Sequence, residues 1–266
     1  MATDPNIEKM WHGLLTGENP AMHRGRHLYG MLPSTPRCKV CNAPFGGIGA
    51  QFMRFVGKRR SSKNPNFCNI CEDFAQNHKG GAEVVMTLLF ADVRGSTTMA
   101  EKMSPSEFTH LMNRFYSAAN KVLTRTDAFV DKLVGDEIIG HYIPGFCGAG
   151  HASLAIEAAQ DLLRVTGHGT PEGPWLPIGV GVHTGLVYYG VVGDATGYVD
   201  FTAMGDNVNI TARITAQASA GEAVISDAAY EAAGLQRDDL ERRTLELKGK
   251  SEVIGVRVMH SSDKYQ

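Results

Sequence analysis

The chain has 266 residues, 43% of them hydrophobic and 20% charged, with a formal net charge of −2. That much apolar material under so little net charge excludes disorder over most of the length, and no apolar run approaches the ~20 residues of a membrane span. The longest run, 84–91, is strand-sized, and residues 1–10 lack the basic and apolar regions of a secretion signal, so a cytoplasmic location is expected. Charge is uneven: residues 1–80 carry +6 and residues 81–266 carry −8, and four of the five cysteines lie in the first segment. Two modules are expected, 1–80 and 81–266, with the boundary at the glycine pair Gly80-Gly81.

The first module is read as an N-terminal helix followed by a cysteine motif. Cys38-Lys39-Val40-Cys41 and Cys68-Asn69-Ile70-Cys71 repeat Cys-x2-Cys across a gap of 26 residues. In a cytosolic chain this spacing reads as a four-thiolate metal site before it reads as disulfides. The gap exceeds the usual zinc spacing, so zinc and an iron–sulfur cluster both stand as readings. A structural zinc would fold a segment too small to bury its own core, whereas an iron–sulfur cluster would make it a redox or oxygen sensor. His23 and His27, four apart, read as surface residues rather than extra ligands. The run from Phe52 to Arg60 mixes aromatics with basic residues, but it is short and the pI is only 6.5. It reads as a half-buried helix with a solvated basic end, and nucleic acid is not the expected partner.

From residue 82 strands and helices alternate. The run 83–91 reads as a buried central strand. Ser104-Pro105-Ser106-Glu107 has the residues of a capping box and opens a helix whose apolar face is Phe108, Leu111, Met112, Phe115, Ala119 and Val122. Segments 128–133 and 137–143, joined by Val134-Gly135-Asp136, read as a hairpin. A helix over 149–165, a strand over 178–187, a short strand over 198–202 and a helix over 205–218 follow. The last of these helices is expected to line one side with Val208, Ile210, Ala212 and Ile214. The tail adds a strand over 223–225, a short helix over 227–233, and strands near 244–247 and 253–259. The order β-α-β-β-α-β with additions predicts an α+β, ferredoxin-like domain with extra C-terminal strands. Cys147 reads as structural, and His183 as packed and hydrogen-bonded within its strand.

Two acids carry chemistry. Asp92 ends the apolar strand and Asp136 sits in the hairpin turn, so strands adjacent in the sheet centre bring both carboxylates to one end. Paired carboxylates repel unless a cation lies between them, and hard divalent ions bind through one or two carboxylates plus phosphate oxygens. The loop after Asp92 carries Gly95, Ser96 and Thr97 into a helical segment, and its backbone N–H groups suit a phosphate. Together these predict a nucleoside triphosphate site holding two metal ions.

The order of motifs then resembles a known family. Phe90-Ala91-Asp92-Val93-Arg94-Gly95-Ser96-Thr97, Lys132-Leu133-Val134-Gly135-Asp136-Glu137, Gly181-Val182-His183-Thr184-Gly185, the segment Asp200 to Asn209 with Ala212-Arg213, and Leu247-Lys248-Gly249-Lys250 are similar to the successive motifs of class III nucleotidyl cyclase catalytic domains. The resemblance implies a head-to-tail homodimer that converts ATP to cyclic AMP and pyrophosphate. It implies that Asp92, Asp136 and the backbone carbonyl of Val93 hold two Mg²⁺ or Mn²⁺ ions. From the partner, Asn209 would orient the ribose and Arg213 would stabilise the α-phosphate, and these two share a helix face. Lys248, ahead of Lys250, would contact the terminal phosphates. Lys132 and Thr202 match the base-reading positions, a Lys/Thr pair resembling the bacterial adenylate cyclase subgroup, because adenine needs one donor and one acceptor. A guanylate cyclase and a non-catalytic nucleotide-binding domain stand as alternatives. Val134-Gly135-Asp136-Glu137-Ile138 also resembles a diguanylate cyclase signature, but the first glycine and the phenylalanine of that signature are replaced. The cyclase resemblance does not reach the cysteine module.

Overall fold

The computed structural model describes residues 5–34, 36–62, 67–193, 199–246 and 253–263. In chain order, α1 (Pro5–Thr16), α2 (Pro20–Gly30), α3 (Gly47–Phe55) and α4 (Asn69–Asn77) precede the long strand β1 (Gly81–Val93). Helices α5 (Ser96–Lys102) and α6 (Pro105–Arg125) lead into the hairpin of β2 (Phe129–Val134) and β3 (Glu137–Tyr142). The turn α7 (Pro144–Cys147) and helix α8 (His151–Val165) lead to β4 (Ile178–Gly193). Then follow β5 (Val199–Met204), α9 (Asp206–Gln217), β6 (Ala223–Ser226), α10 (Asp227–Ala232), β7 (Glu241–Glu246) and β8 (Val253–Met259).

The sheet order is β2-β3-β1-β4-β6-β8-β7, with β5 paired to β4. Its first four strands, with α5–α6 and α8 as crossovers, are the expected βαββαβ arrangement, and β6, β8 and β7 extend it beyond β4. The chain divides into two compact units. The larger comprises Val85–Ile143, Ala149–Val187 and Met204–Gln266; the smaller comprises Met1–Val84, Pro144–Gly148 and Tyr188–Ala203.

In the larger unit the local rules are met. Ser104 accepts from the Glu107 amide while the Glu107 carboxylate accepts from the Ser104 amide at 2.8 Å, a complete capping box ahead of Pro105. Behind it α6 buries Met112, Phe115, Ala119, Val122 and Leu123, while Phe108 and Leu111 are half-buried. Helix α9 differs from expectation. Its buried residues are Ile210, Thr211, Ile214 and Thr215, and Ala212 is exposed. The expected set ran at every second residue, the period of a strand, whereas a helix face follows i, i+1, i+4, i+5.

Glu222 ties the added strands to the sheet. Its carboxylate accepts from both terminal nitrogens of Arg243 at 2.7 and 2.9 Å and from the Ser219 amide at 2.8 Å. Hydrogen bonds from Arg243, with that amide, hold its carboxyl down at about 2. A depressed carboxyl contributes stability that is full above the unfolded value near 4.3 and lost as pH falls through the folded value. Glu222→Gln is therefore expected to cost roughly 1.5–3 kcal/mol at pH 7. Denaturant titrations should show that difference shrinking between about pH 4 and pH 2.

The smaller unit is built round Trp11, which is 2% exposed and donates from its indole nitrogen to the His78 carbonyl at 2.8 Å. Its ring lies against Phe74 and Phe201, with centroids 6.2 and 5.8 Å away. Gly145 admits helix α1, because a Cβ there would lie 2.8 Å from the Leu15 carbonyl oxygen. Helix α3 buries Gly49, Ala50 and Met53; it starts ahead of the expected run and ends at Phe55, so Lys58, Arg59 and Arg60 lie beyond the helix rather than at its end. Its aromatics, however, form the open side: Phe52 is 53% and Phe55 89% exposed.

Candidate active site and four-cysteine centre

In the larger unit, β1 and β3 pair antiparallel with Asp92 opposite Glu137. The Val93 amide donates to the Asp136 carbonyl at 3.3 Å, so the end of β1 and the hairpin turn are joined at the two predicted metal acids. Gly135 makes that turn possible with φ +62°, and Tyr116 on α6 donates its hydroxyl to the Gly135 carbonyl. Burial pushes the Asp92 carboxyl up, the Arg94 guanidinium at 3.3 Å opposes this, and the charge of Asp136 adds to it. Burial, together with Asp92 and Asp136, pushes Glu137 up to about 7. Asp92 and Glu137, partly desolvated and near the charge of Asp136, are costly when ionised, and a divalent cation relieves that cost. The donor set of carboxylate oxygens beside a backbone carbonyl suits Mg²⁺ or Mn²⁺.

Gly95 adopts φ +72° and caps α5, which begins at Ser96 and Thr97. The Arg94 amide is committed to the Pro177 carbonyl at 2.9 Å. The amides that open α5 lack acceptors within the helix, which keeps the predicted phosphate loop available to an anion.

Asn209 and Arg213 lie one turn apart on α9, Asn209 exposed and Arg213 half-buried. The glycines of the third motif explain how α9 is seated. A Cβ on Gly181 would lie 2.7 Å from the Thr215 amide nitrogen, so a side chain there would move the helix, and one on Gly185 would lie 2.7 Å from Asn207 Nδ2 and displace that side chain. Asn207 fixes the start of α9. Its Oδ1 accepts from His183 Nε2 at 2.8 Å and its Nδ2 donates to the Leu186 carbonyl at 2.8 Å. His183 is packed and hydrogen-bonded as expected, with Ser226 Oγ at 2.8 Å from its other nitrogen and its pKa held down by burial.

Two residues were not singled out from sequence. Arg94 Nη2 donates to the Thr215 carbonyl at 2.7 Å while facing Asp92, linking the metal-acid strand to the C-terminal end of α9. Glu137 faces Asp92 across the ladder. Both stood inside quoted motifs; the contact with Thr215 distinguishes Arg94 from a loop residue, and the antiparallel register distinguishes Glu137 from an ordinary strand residue.

Lys132 lies in β2 beside a register irregularity between Val130 and Leu133, a feature that re-aims side chains, but its own side chain lies outside the described residues. Lys248 and Lys250 also lie outside the described residues. Thr202 belongs to β5 in the smaller unit.

The four cysteines gather in the smaller unit. Their sulfurs all lie within 4.8 Å of one another, and Cys41 Sγ to Cys68 Sγ is 3.8 Å. The first knuckle closes through Cys38 N to Ala43 O and Asn42 N to Cys38 O, both 2.8 Å, with Asn42 at φ +63°. The second is the first turn of α4, where Cys68 Sγ accepts from the Cys71 amide at 3.4 Å, and the Cys68 amide donates to Cys38 Sγ at 3.3 Å. Lys58 Nζ stands 3.7 Å from Cys41 Sγ and 3.9 Å from Cys68 Sγ. Hydrogen bonding from Cys38 draws Cys41 down to about 7, while burial drives Cys38 up. A tetrahedral ion with sulfur ligands at about 2.3 Å spaces them by about 3.8 Å, and the donor set therefore fits a single metal ion. His27 lies in the last turn of α2, and the side chain of His23 lies outside the described residues.

The larger unit thus pairs a ferredoxin-like sheet with two carboxylates at the linked ends of β1 and the β2–β3 hairpin. Residues 81–260 match the adenylate and guanylate cyclase catalytic domain family, more than half of the chain, and the chain belongs to that family. An adenylate cyclase of Anabaena cylindrica is 35% identical over 133 residues, which are 48% of this chain and 26% of that protein. The chain thus spans about a quarter of that relative's length. Among solved structures, the guanylyl cyclase Cya2 aligns with a TM-score of 0.60 at 26% identity, covering 67% of this chain and 93% of that one. The adenylyl cyclase CyaB from P. aeruginosa aligns at 0.56 and 26% identity, covering 67% and 95%. No helix among the described residues is long and apolar enough to cross a membrane.

Proposed function

We propose that this chain is a cytosolic adenylate cyclase that converts ATP to 3′,5′-cyclic AMP and pyrophosphate at sites shared between two copies of the chain. The observation that carries this reading is the meeting of Asp92 and Asp136 at the linked ends of β1 and the β2–β3 hairpin in a chain of the cyclase family. Asp92, Asp136 and the Val93 carbonyl would hold Mg²⁺ or Mn²⁺, and bound there such ions supply positive charge to the triphosphate and acidify the ribose 3′-hydroxyl. The amides at Gly95, Ser96 and Thr97 receive phosphate oxygens. From the second copy, Asn209 orients the ribose and Arg213 offsets charge growing on the α-phosphate. Lys132 donates to adenine N1 and the Thr202 hydroxyl accepts from N6, while Lys248 meets the terminal phosphates.

GTP is the second reading, because an adenylyl and a guanylyl cyclase structure both align at 26% identity. Purified full chain with Mn-ATP is expected to give cyclic AMP and pyrophosphate in equal amounts. Cyclic GMP from Mn-GTP as the dominant product would move the assignment to the second reading, and neither product from metal-loaded protein would overturn both.

For the cysteine centre we assign zinc. A cluster divides the four thiolates among two or four irons and spreads the set more widely than a single ion does, whereas the four sulfurs here lie within 4.8 Å. Metal analysis of anaerobically purified protein should find one zinc per chain and no visible absorbance. Brown protein with acid-labile sulfide would replace zinc by an iron–sulfur cluster.

A further inference from the structure

Strand β5 carries Phe201 and Thr202 in adjacent positions, so their side chains leave opposite faces of the strand. The Phe201 ring points into the smaller unit, where it meets the Phe67 ring edge-on at 5.0 Å between centroids and 77° between planes. Phe67 is 1% exposed and is the chain neighbour of Cys68. Cys68 in turn is bound by its amide to Cys38 Sγ and by its sulfur to the Cys71 amide. Three covalent or packed steps therefore separate the four-sulfur centre from Thr202, all within one compact unit. Trp11, Phe67, Cys71 and Phe201 line one small apolar cavity on this route, so the rings and the second cysteine knuckle share a common packed wall and a shift of one is felt by the others.

We propose that the four-cysteine metal site positions Thr202 through Phe67 and Phe201, and so sets the discrimination between ATP and GTP. Metal occupancy locks the Cys68 knuckle, the knuckle fixes the Phe67 ring, and that ring fixes the rotation of β5 about its own axis. Phe67 and Phe201 are positioning residues in this account and touch no nucleotide. The proposal rests on the reading of Thr202 as the acceptor for the adenine amino group. Hydrogen-bond readout demands sub-ångström placement, and a misplacement of about 1 Å can cost as much as 100-fold. A shift of β5 should consequently penalise the nucleotide that Thr202 reads more than the one it does not.

The test uses the full chain, with kcat and KM measured separately for Mn-ATP and Mn-GTP, and with metal content and far-ultraviolet circular dichroism as controls. Phe201→Leu is expected to keep one metal per chain and native helicity, and to lower the ATP/GTP ratio of kcat/KM about tenfold, mainly through KM for ATP. Phe201→Tyr should restore the ratio. Withdrawing the thiolate metal with a chelator, followed by excess Mn²⁺, should lower the ratio in the same direction. In a Trp175→Phe background it should also alter the fluorescence of Trp11, whose ring lies 5.8 Å from Phe201. Phe67→Leu should repeat the effect; if that buried change prevents folding, Phe201→Leu still decides. Thr202→Ala separates the two levels of the argument. If it lowers the ratio and metal-loaded Phe201→Leu leaves both ratio and KM unchanged, the coupling is overturned while Thr202 keeps its role. If Thr202→Ala itself leaves the ratio unchanged, the base-reading assignment is overturned and the proposal with it.

Discussion

Replacing Asp92 with alanine is expected to remove cyclase turnover by at least about a thousandfold, about 4 kcal/mol in the barrier, while leaving the metal-free protein as stable as before or more so. The first half follows from the assigned role of its carboxylate, since the cation it helps hold has no substitute among neutral side chains. The second half follows from its surroundings. Burial raises the Asp92 carboxyl and the Asp136 charge raises it further; Arg94 at 3.3 Å and a hydrogen bond from the Val93 backbone oppose them without cancelling the rise. A carboxyl raised on folding binds its proton more tightly in the folded chain, so its ionisation costs stability as pH rises through the folded value. Alanine removes that penalty along with the chemistry. A product assay beside a thermal melt in chelator checks both. Full activity would contradict the assignment of the metal site, and a large drop in melting temperature would show Asp92 to be a structural acid. Loss of turnover with undiminished stability is the signature of a residue kept for chemistry.

Much of this was legible in the sequence because short-range rules governed it. Ser104-Pro105-Ser106-Glu107 announced its capping box, the apolar run at 83–91 announced the central strand, and two Cys-x2-Cys motifs announced a four-sulfur cluster that the fold assembles. The ferredoxin-like order followed from the alternation of elements and is the order observed. The remainder depended on contacts far apart in the chain. Nothing local tells Arg94 that its guanidinium will reach the Thr215 carbonyl 121 positions away, or Gly181 that Thr215 will press on it. Glu137 looked like an ordinary strand residue until the register set it opposite Asp92. Likewise, the run from Phe52 to Arg60 did not show which side of its helix is buried; Gly49, Ala50 and Met53 take that face of α3 and leave the Phe52 and Phe55 rings exposed. The association of Phe67 with Phe201 was beyond sequence reasoning altogether, because the two stand in segments expected to belong to different modules.

The central claim is that each active site takes Asp92 and Asp136 from one copy of the chain and Asn209 and Arg213 from another. Its most direct measurement is complementation between two inactive variants. Asp92→Ala and Arg213→Ala chains, each expected to be inactive alone, would be co-expressed with different tags and the mixed dimer purified. A mixed dimer carries both lesions in one site and none in the other, so it should make cyclic AMP from Mn-ATP at about half the wild-type rate per dimer, and an unfractionated equal mixture at about a quarter. Activity in the mixed dimer with none in either parent is the predicted result. A mixed dimer as inactive as its parents would contradict the shared site, and substantial activity in either parent would contradict the assigned residues.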